Sequence, residues 1–421
     1  LDAQLAAFLG NLDGALERFE PALEREVDAA TRYQLVETLG RSGEEYRNSV
    51  YAGKIGASRA QVSPSQLSSF LKRAMRFAGH AIDSNRRSDA LYHSYNLLRP
   101  KGTDGVELGR LPEMLEGQVA VLSSHRLTTN EAVGLLDGLR QSRLYREDVE
   151  SYLLYPDKAL PRFLEKNKVA PERVEASEVL QAMLRGGDGR VLAKDANGVF
   201  RFNGSFKNAG DLEAALGALV DDYDGLKEEA SVREILDLFE DTFDHRSFTG
   251  RSGTFFAYEG LGSVYWHMVS KLALAIQEQC RKAGGAEAYD ALVEHYFECV
   301  KGLGFDKSPA RYGAFPIDAY SHTPKHMGAQ QPGMTGQVKE DILSRWGELG
   351  VLVSAGRIGF DSKLLKASEF IQSAETFQFL NTNGEVQGVD LAAGSLAFTY
   401  CQTPFVYRLA AEPGLIVAFA D

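Results

Sequence analysis

Helical spacing of apolar residues, repeated through most of the chain, is the feature that most limits the folds available to it. Near the start, apolar side chains recur three and four residues apart, at Leu5, Phe8, Leu9, Leu12 and Leu16. That period places them on one face of an α-helix. The chain has 421 residues, which is enough to bury a large core. We therefore predict a mainly α-helical protein, built as one large domain or two smaller ones.

Local signals predict where several helices begin. Ser63-Pro64 is a helix start, because proline is tolerated in the first turn. The helix that follows is expected to bury the stripe Leu67, Phe70, Leu71, Ala74 and Ala78. Thr128 with Glu131, and Ser231 with Glu234, have the spacing of a capping box. Further helices are predicted from about 209 to 241, from near Glu259 through Val264 to Ile276, and over 337–349.

Two parts of the chain depart from the helical period. Residues 186–206 predict a small hairpin that turns at Asp195–Gly198, since Asn-Gly accepts a positive φ. From Val351 onward, short β-like runs are separated by Gly, Asn and Pro. These runs are 351–353, 377–380, 395–400, 405–407 and 415–419. We predict a helical domain over 1–350 with a hairpin insertion near 186–206, and a C-terminal antiparallel β appendage over 351–421.

Charge and composition exclude several classes of function. The formal net charge is −12, with 46 basic and 58 acidic residues. Nucleic acids and anionic membrane surfaces both reward clustered basic residues, so we expect neither as a partner. No apolar run has the length of a membrane span, and no signal peptide opens the chain. The first residue is Leu1, so we expect a processed or excised start, other domains of a longer polypeptide as partners, and a cytoplasmic or periplasmic location.

The three cysteines, Cys280, Cys299 and Cys401, have neither the number nor the spacing of a disulfide framework or a zinc site. Each has apolar neighbours in the sequence, so we expect buried thiols. His322 and His326 are four residues apart, but Pro324 between them disfavours a shared helix face. We therefore predict hydrogen-bonding histidines, no metal and no organic cofactor.

The first stretch with the character of a binding site is 244–267. Glycines alternate there with Arg251, Ser252 and Thr254, which offer backbone N–H groups and cationic donors before a helix start. Tyr258, Tyr265 and Trp266 could stack on sugar rings, because an aromatic ring can cover the apolar face of a sugar, and His267 is a further substrate-binding candidate. Glu259 is either a first-turn carboxylate that complements the helix dipole or a catalytic acid or base. A purely structural loop is the alternative for the whole stretch.

The second such stretch is 311–337, a long segment rich in Pro, Gly and aromatic residues. Long loops of this kind are usually functional or disordered, and the aromatic content argues against disorder. Asp318 lies between Phe315-Pro316 and Tyr320, a semi-apolar setting that can raise a carboxyl pKa and produce a proton donor. The substrate-binding candidates of this stretch are Tyr320, His322, Gln330 and Gln331.

A third polar and aromatic stretch covers 85–96. Tyr92, His93 and Tyr95 could line the same cleft, and an exposed junction between helix and loop explains them equally well. The segments 151–157 and 202–208 also place aromatic residues beside amides or carboxylates. We find no nucleophile elbow, phosphate-binding P-loop, dinucleotide fingerprint or kinase motif.

The region from about 85 to 421 resembles the C-terminal part of large bacterial carbohydrate-active proteins. The residues that carry the resemblance are Gly253-Thr-Phe-Phe-Ala-Tyr-Glu-Gly-Leu-Gly-Ser-Val-Tyr-Trp266, Tyr320-Ser-His-Thr-Pro324 and Gly328-Ala-Gln-Gln-Pro-Gly-Met-Thr-Gly-Gln337. The resemblance is to inverting glycosidases and to glycoside phosphorylases of the cellobiose phosphorylase type. It implies an (α/α)6 toroid for the helical body.

Three hypotheses for the function follow, of which the third is a helical interaction scaffold whose glycine-rich loops pack against the β appendage. The first is a glycoside hydrolase or phosphorylase that acts on a glucan-like oligosaccharide or polysaccharide, with Asp318 as proton donor and Glu259 as partner carboxylate. Inorganic phosphate is then the co-substrate if the reaction is phosphorolysis. Arg251, Ser252 and Thr254 would hold either the phosphate or sugar hydroxyls. The second is a non-catalytic carbohydrate-binding or structural module of a larger polysaccharide-processing protein.

Overall fold

The computed structural model describes residues 1–56, 58–102, 104–156, 161–244, 264–285, 287–303, 334–412 and 414–417, of which 334–337 are described by their backbone alone. The chain divides into two compact units, Leu1–Glu340 and Asp341–Asp421. Within the described residues, no helix is long and apolar enough to cross a membrane.

Three helices open the first unit: α1 (Ala3–Phe19), α2 (Ala29–Tyr51) and α3 (Pro64–Asp83). The predicted start of α3 is confirmed, since the Ser63 hydroxyl accepts from the Gln66 amide at 3.2 Å and Gln66 Oε1 accepts from the Ser63 amide at 2.8 Å. The predicted buried stripe is wrong: Leu67 and Leu71 are 43 % and 49 % exposed, Ala78 is exposed as well, and Phe70 and Ala74 are only partly buried. Arg73 instead turns toward α1, where it pairs with Asp13.

Two short hairpins and two helices follow. They are β1 (Leu97–Pro100) with β2 (Val106–Gly109), α4 (Leu115–Ser123), α5 (Thr129–Gln141), and β3 (Tyr145–Arg146) with β4 (Ser151–Tyr152). The capping box predicted for α5 is confirmed. The Thr128 hydroxyl accepts from the Glu131 amide at 3.3 Å, and Glu131 Oε2 accepts from the Thr128 amide at 2.9 Å.

A group of short elements forms the next part of the unit. They are α6 (Phe163–Lys166), α7 (Pro171–Ala176), α8 (Glu178–Arg185), β5 (Leu192–Lys194), β6 (Phe200–Phe202), α9 (Ala209–Gly217), a 3-10 turn (Asp224–Lys227) and α10 (Glu229–Phe243). The predicted hairpin is confirmed as β5 paired with β6, and Gly198 in its turn has a φ of +81°. The capping box at Ser231 is wrong, because α10 begins two residues earlier and the Ser231 amide already donates to the Glu228 carbonyl at 3.1 Å.

This part has a hydrophobic core of its own. Phe239, which is fully buried, lies with its ring centroid 5.1 Å from that of Phe202 and 4.7 Å from that of Phe243. The buried members of the core all fall between Val169 and Phe243. We refer to residues 161–244 as the inserted segment.

The unit continues with α11 (Trp266–Ala283), α12 (Tyr289–Gly302) and the start of α13 (Met334–Glu348). The prediction that a helix passes through Val264 is wrong: Val264 forms an antiparallel bridge with Leu153, and α11 begins at Trp266. The expected helix start near Glu259 lies outside the described residues. Side chains buried between α4, α5, α11 and α12 include Leu122, Leu135, Leu139, Leu272, Ile276, Leu292 and Tyr296.

The second unit contains three hairpins beside the end of α13. They pair β7 (Val351–Ser354) with β8 (Arg357–Phe360), β9 (Glu375–Leu380) with β10 (Val386–Leu391), and β11 (Ser395–Tyr400) with β12 (Thr403–Arg408). Leu349, Phe370 and Leu396 form a small core. The strand predicted at 415–419 is wrong over 415–417, which take no strand conformation, and its remainder lies outside the described residues.

The prediction of buried cysteines is confirmed for Cys280 and Cys299 and is wrong for Cys401. Cys401 and Gln402 form the two-residue turn between β11 and β12, with φ values of +48° and +60°. Such a turn projects its side chains away from the sheet, which accounts for the exposed thiol.

The predicted fold class is confirmed at its coarse level: the protein is mainly α-helical with small two-stranded antiparallel sheets. The toroidal arrangement of the helices stays a prediction, as does the domain division at residue 350.

Candidate functional site

Ten of the predicted site residues lie outside the described residues. They are Arg251, Ser252, Thr254, Tyr258, Glu259, Asp318, Tyr320, His322, Gln330 and Gln331. The four that the structure describes are Tyr92, His93, Trp266 and His267. The candidate site is therefore built from these four and their neighbours.

Trp266 and His267 are the first two residues of α11. Trp266 is buried, with 8 % of its surface exposed. His267 Nδ1 lies 3.4 Å from the hydroxyl of Tyr265, and the two rings meet edge to face with centroids 5.8 Å apart. At the start of α11, Trp266 is therefore buried, and Tyr265 and His267 contact each other.

The other ring nitrogen of His267 faces a buried carboxylate that the sequence did not single out. His267 Nε2 lies 3.1 Å from Glu340 Oε2, and Lys339 Nζ lies 3.2 Å from Glu340 Oε1. Glu340 itself is only 2 % exposed. Burial raises the pKa of Glu340, but the interactions with His267 and Lys339 outweigh it and hold the pKa below its usual value.

The contact joins positions that are far apart in sequence. His267 is the last residue of the first predicted stretch, and Glu340 follows the second predicted stretch by three residues. The contact therefore places the C-terminal ends of the two stretches side by side.

The apolar pattern of α13 does not indicate that Glu340 is buried. Val338 and Ile342 are 53 % and 51 % exposed, whereas Glu340 and Ser344 on the same helix are buried. An apolar residue is ordinarily assigned to the inner face of a helix, so nothing in the local sequence marks the carboxylate as internal.

The structure buries Tyr92 and partly buries His93. Tyr92 is 3 % exposed, and its backbone amide and carbonyl both bond to the side chain of Gln118, at 2.9 Å each. Burial raises the pKa of Tyr92 and lowers that of His93, whose Nδ1 lies 3.3 Å from the Leu111 carbonyl. Tyr92 and His93 therefore stabilise the loop in which they lie.

Tyr95, in the same loop, is the exposed aromatic residue, with 55 % of its surface accessible. Glu116, in the first turn of α4, is its charged neighbour, and Tyr155 lies close enough to affect it as well. Burial and then the charge of Glu116 raise the pKa of Tyr95 to about 12.

Helices α4 and α11 begin at the same end of the first unit. The Leu115 amide donates to the Leu154 carbonyl at 3.0 Å, and the adjacent Leu153 pairs with Val264. At the other end, Gln279 of α11 donates to the Leu122 carbonyl of α4. The two helices thus run parallel, and Tyr95, Glu116, Tyr265 and His267 belong to one end.

No cluster of His, Cys, Asp and Glu with the makings of a metal site occurs within the described part of the chain. The paired histidines 322 and 326 lie outside it.

A comparison with known families matches residues 160–246 to the model described as GH149 phosphorylase insertion domain 2. The matched range contains the whole buried core of the inserted segment, from Val169 to Phe243. The match supports a carbohydrate-active protein related to the glycoside phosphorylases. A comparison with curated proteins finds no match.

Proposed function

We propose that the protein is a glycoside phosphorylase that cleaves a glucan-like oligosaccharide with inorganic phosphate. The observation that carries the proposal is the match of the inserted segment to a phosphorylase insertion domain. A saccharide is the partner that such a protein requires. The same observation favours phosphorolysis over hydrolysis, the alternative that the sequence leaves open.

Residues of the two predicted stretches have the chemistry that the reaction needs. Arg251, Ser252 and Thr254 can hold a phosphate by charge and hydrogen bonds. Tyr258, Tyr320 and His322, together with Gln330 and Gln331, offer stacking surfaces and hydrogen bonds for the sugar. His267 ends the first stretch and Glu340 follows the second by three residues, so their contact is consistent with one shared site.

The proposed step is a single displacement at the anomeric carbon. A phosphate oxygen attacks this carbon as the bond to the glycosidic oxygen breaks, and the Asp318 carboxyl gives its proton to the departing oxygen. The products are a sugar 1-phosphate and an oligosaccharide shorter by one residue. Glu259 serves as the partner carboxylate, which would accept hydrogen bonds from the reacting sugar. An (α/α)6 toroid is the helical architecture that we propose around this site.

Incubation of the full chain with α- and β-linked glucooligosaccharides and phosphate tests the proposal. We expect a sugar 1-phosphate by ³¹P NMR with one linkage class, and none with Asp318→Asn. Release of reducing sugar at the same rate without phosphate would instead identify a hydrolase. Saccharide binding in a thermal-shift assay, with neither product formed, would identify the non-catalytic module.

A further inference from the structure

Tyr95 combines exposure with a backbone conformation that bulky residues rarely adopt. Its φ is +55°, in the left-handed region, and its side chain is 55 % exposed. This conformation is sterically unfavourable for an aromatic residue compared with the right-handed region. Because strain of this kind persists where the surroundings impose it, and often at functional sites, the position of the Tyr95 ring requires an explanation.

The loop on both sides of Tyr95 is fixed by buried hydrogen bonds. Gln118, fully buried in α4, bonds to the backbone of Tyr92 on both its amide and its carbonyl. On the other side, Asn96 Nδ2 donates to Asn85 Oδ1 at 2.9 Å. These hydrogen bonds therefore hold the loop that carries the strained Tyr95.

The loop packs closely against the first turn of α4. A Cβ atom added to Gly117 would lie 2.6 Å from Ser94 Oγ, which is closer than real side chains approach. Glycine at this position therefore lets residue 94 rest on the first turn of α4. The next residue, Tyr95, is held beside Glu116 as a result.

The neighbours of Tyr95 form a compact polar and aromatic group. Glu116 and Tyr155 are near enough to the Tyr95 hydroxyl to raise its pKa, and Tyr155 lies near the end of the 151–156 segment. That segment pairs with Val264, two residues before the start of α11. The group therefore belongs to the same end of the first unit as the His267–Glu340 pair.

We propose that Tyr95, Glu116 and Tyr155 form a further saccharide-binding subsite. The ring of Tyr95 stacks on the apolar C–H face of a pyranose, and Glu116 accepts hydrogen bonds from its hydroxyls. The class of ligand rests on the proposed function. Neither residue proposed to act on the glycosidic bond, Asp318 or Glu259, belongs to this group, so we expect the subsite to determine affinity for longer chains and not the chemical step.

Substitutions at Tyr95 distinguish the contribution of its ring to binding from the effect of its strained backbone. Tyr95→Asn removes the ring but keeps a residue that tolerates a left-handed φ, and Tyr95→Phe keeps the ring. Tyr51→Ala is the matched control, because Tyr51 is a surface tyrosine on α2 with 83 % exposure. Gly117→Ala is a second route to the same loss, since it displaces the loop without changing Tyr95.

Calorimetric titration of the full chain with glucooligosaccharides from the disaccharide to the hexasaccharide, together with kcat and KM, tests the proposal. We expect Tyr95→Asn and Gly117→Ala to weaken binding and raise KM of the longer oligosaccharides about tenfold or more, with kcat nearly unchanged. Tyr95→Phe and Tyr51→Ala should behave as the wild type.

Two outcomes separate the subsite from the proposed reaction. Saccharide binding that depends on Tyr95, in a protein that forms no sugar phosphate, would support the subsite and contradict phosphorolysis. Phosphorolysis with Tyr95→Asn and Gly117→Ala at wild-type KM for every chain length would overturn the subsite alone. Wild-type protein that binds no oligosaccharide of the series would overturn it as well.

Discussion

His267 Nε2 lies 3.1 Å from Oε2 of Glu340, a carboxylate that is almost completely shielded from solvent. The first residue belongs to the start of α11 and the second to α13, so the contact closes a sequence separation of 73 residues (340 minus 267). Between them in the chain lie α12 and the second predicted stretch. A buried charge needs a partner, and this pair fixes the start of α11 against α13.

We predict that Glu340→Gln lowers the free energy of unfolding by about 1–3 kcal/mol at pH 7, because it replaces a charged partner of His267 by a neutral one. Amide hydrogen exchange in α13 should rise in parallel. Lys339→Gln is the control on the same helix, and its effect should stay below about 1 kcal/mol because Lys339 is 72 % exposed.

The same pair predicts a pH dependence. The folded protein holds the pKa of Glu340 below its ordinary value of 4.5, so the stabilisation is present above pH 4.5 and is lost as the pH falls through the lowered pKa. Acid unfolding of wild type and Glu340→Gln should therefore converge below pH 4.5. A constant difference down to the lowest pH would contradict this origin of the stability.

Thr128 and Ser231 both begin a capping-box motif, but Thr128 lies at the N-cap of α5 and Ser231 lies inside α10. Alanine substitutions at the two positions are therefore a matched pair. Thr128→Ala should cost about 1 kcal/mol, because Thr128 caps α5. Ser231→Ala should change stability by less than about 0.5 kcal/mol, because Ser231 already lies inside α10. Denaturant unfolding measures both, and equal losses would show that Ser231 caps its helix in solution.

The inserted segment is predicted to fold by itself, because its buried residues pack on one another. A fragment of residues 161–244 should give helical circular dichroism and a cooperative melt. Phe239→Ala should destabilise it by about 3–5 kcal/mol, since the fully buried ring contacts Phe202 and Phe243. A fragment that is unstructured at low temperature would show that the segment depends on the surrounding chain.

The thiols should differ in their reaction with a thiol reagent. Cys401 is exposed and should react quickly in the native protein, whereas Cys280 and Cys299 should react only after unfolding. Burial raises the pKa of Cys280 to about 12, which removes its thiolate at neutral pH. Cys401→Ser should abolish the fast phase, and a fast phase that survives this change would assign it to another cysteine.

Local rules account for the features that could be predicted from the sequence. The capping box of α5 and the start of α3 depend on side chains three residues apart, and the hairpin turn depends on the positive φ of Gly198. The error at Ser231 has the same local character: the 3-10 turn over Asp224–Lys227 ends just before an earlier start of α10. The mainly helical class followed from the same short-range patterns.

The sequence by itself determined the helical class and the β-rich character of the last seventy residues or so, whereas the saccharide chemistry of the two predicted stretches stays a prediction. Only the tertiary structure decided that Glu340 is buried against His267, that Tyr92 is internal, and that Tyr95 is presented beside Glu116. Helix caps and turns depend on neighbours in sequence. Burial of a charge or exposure of a ring depends instead on which elements meet, and the sequence spacing of α4, α11 and α13 does not specify those contacts.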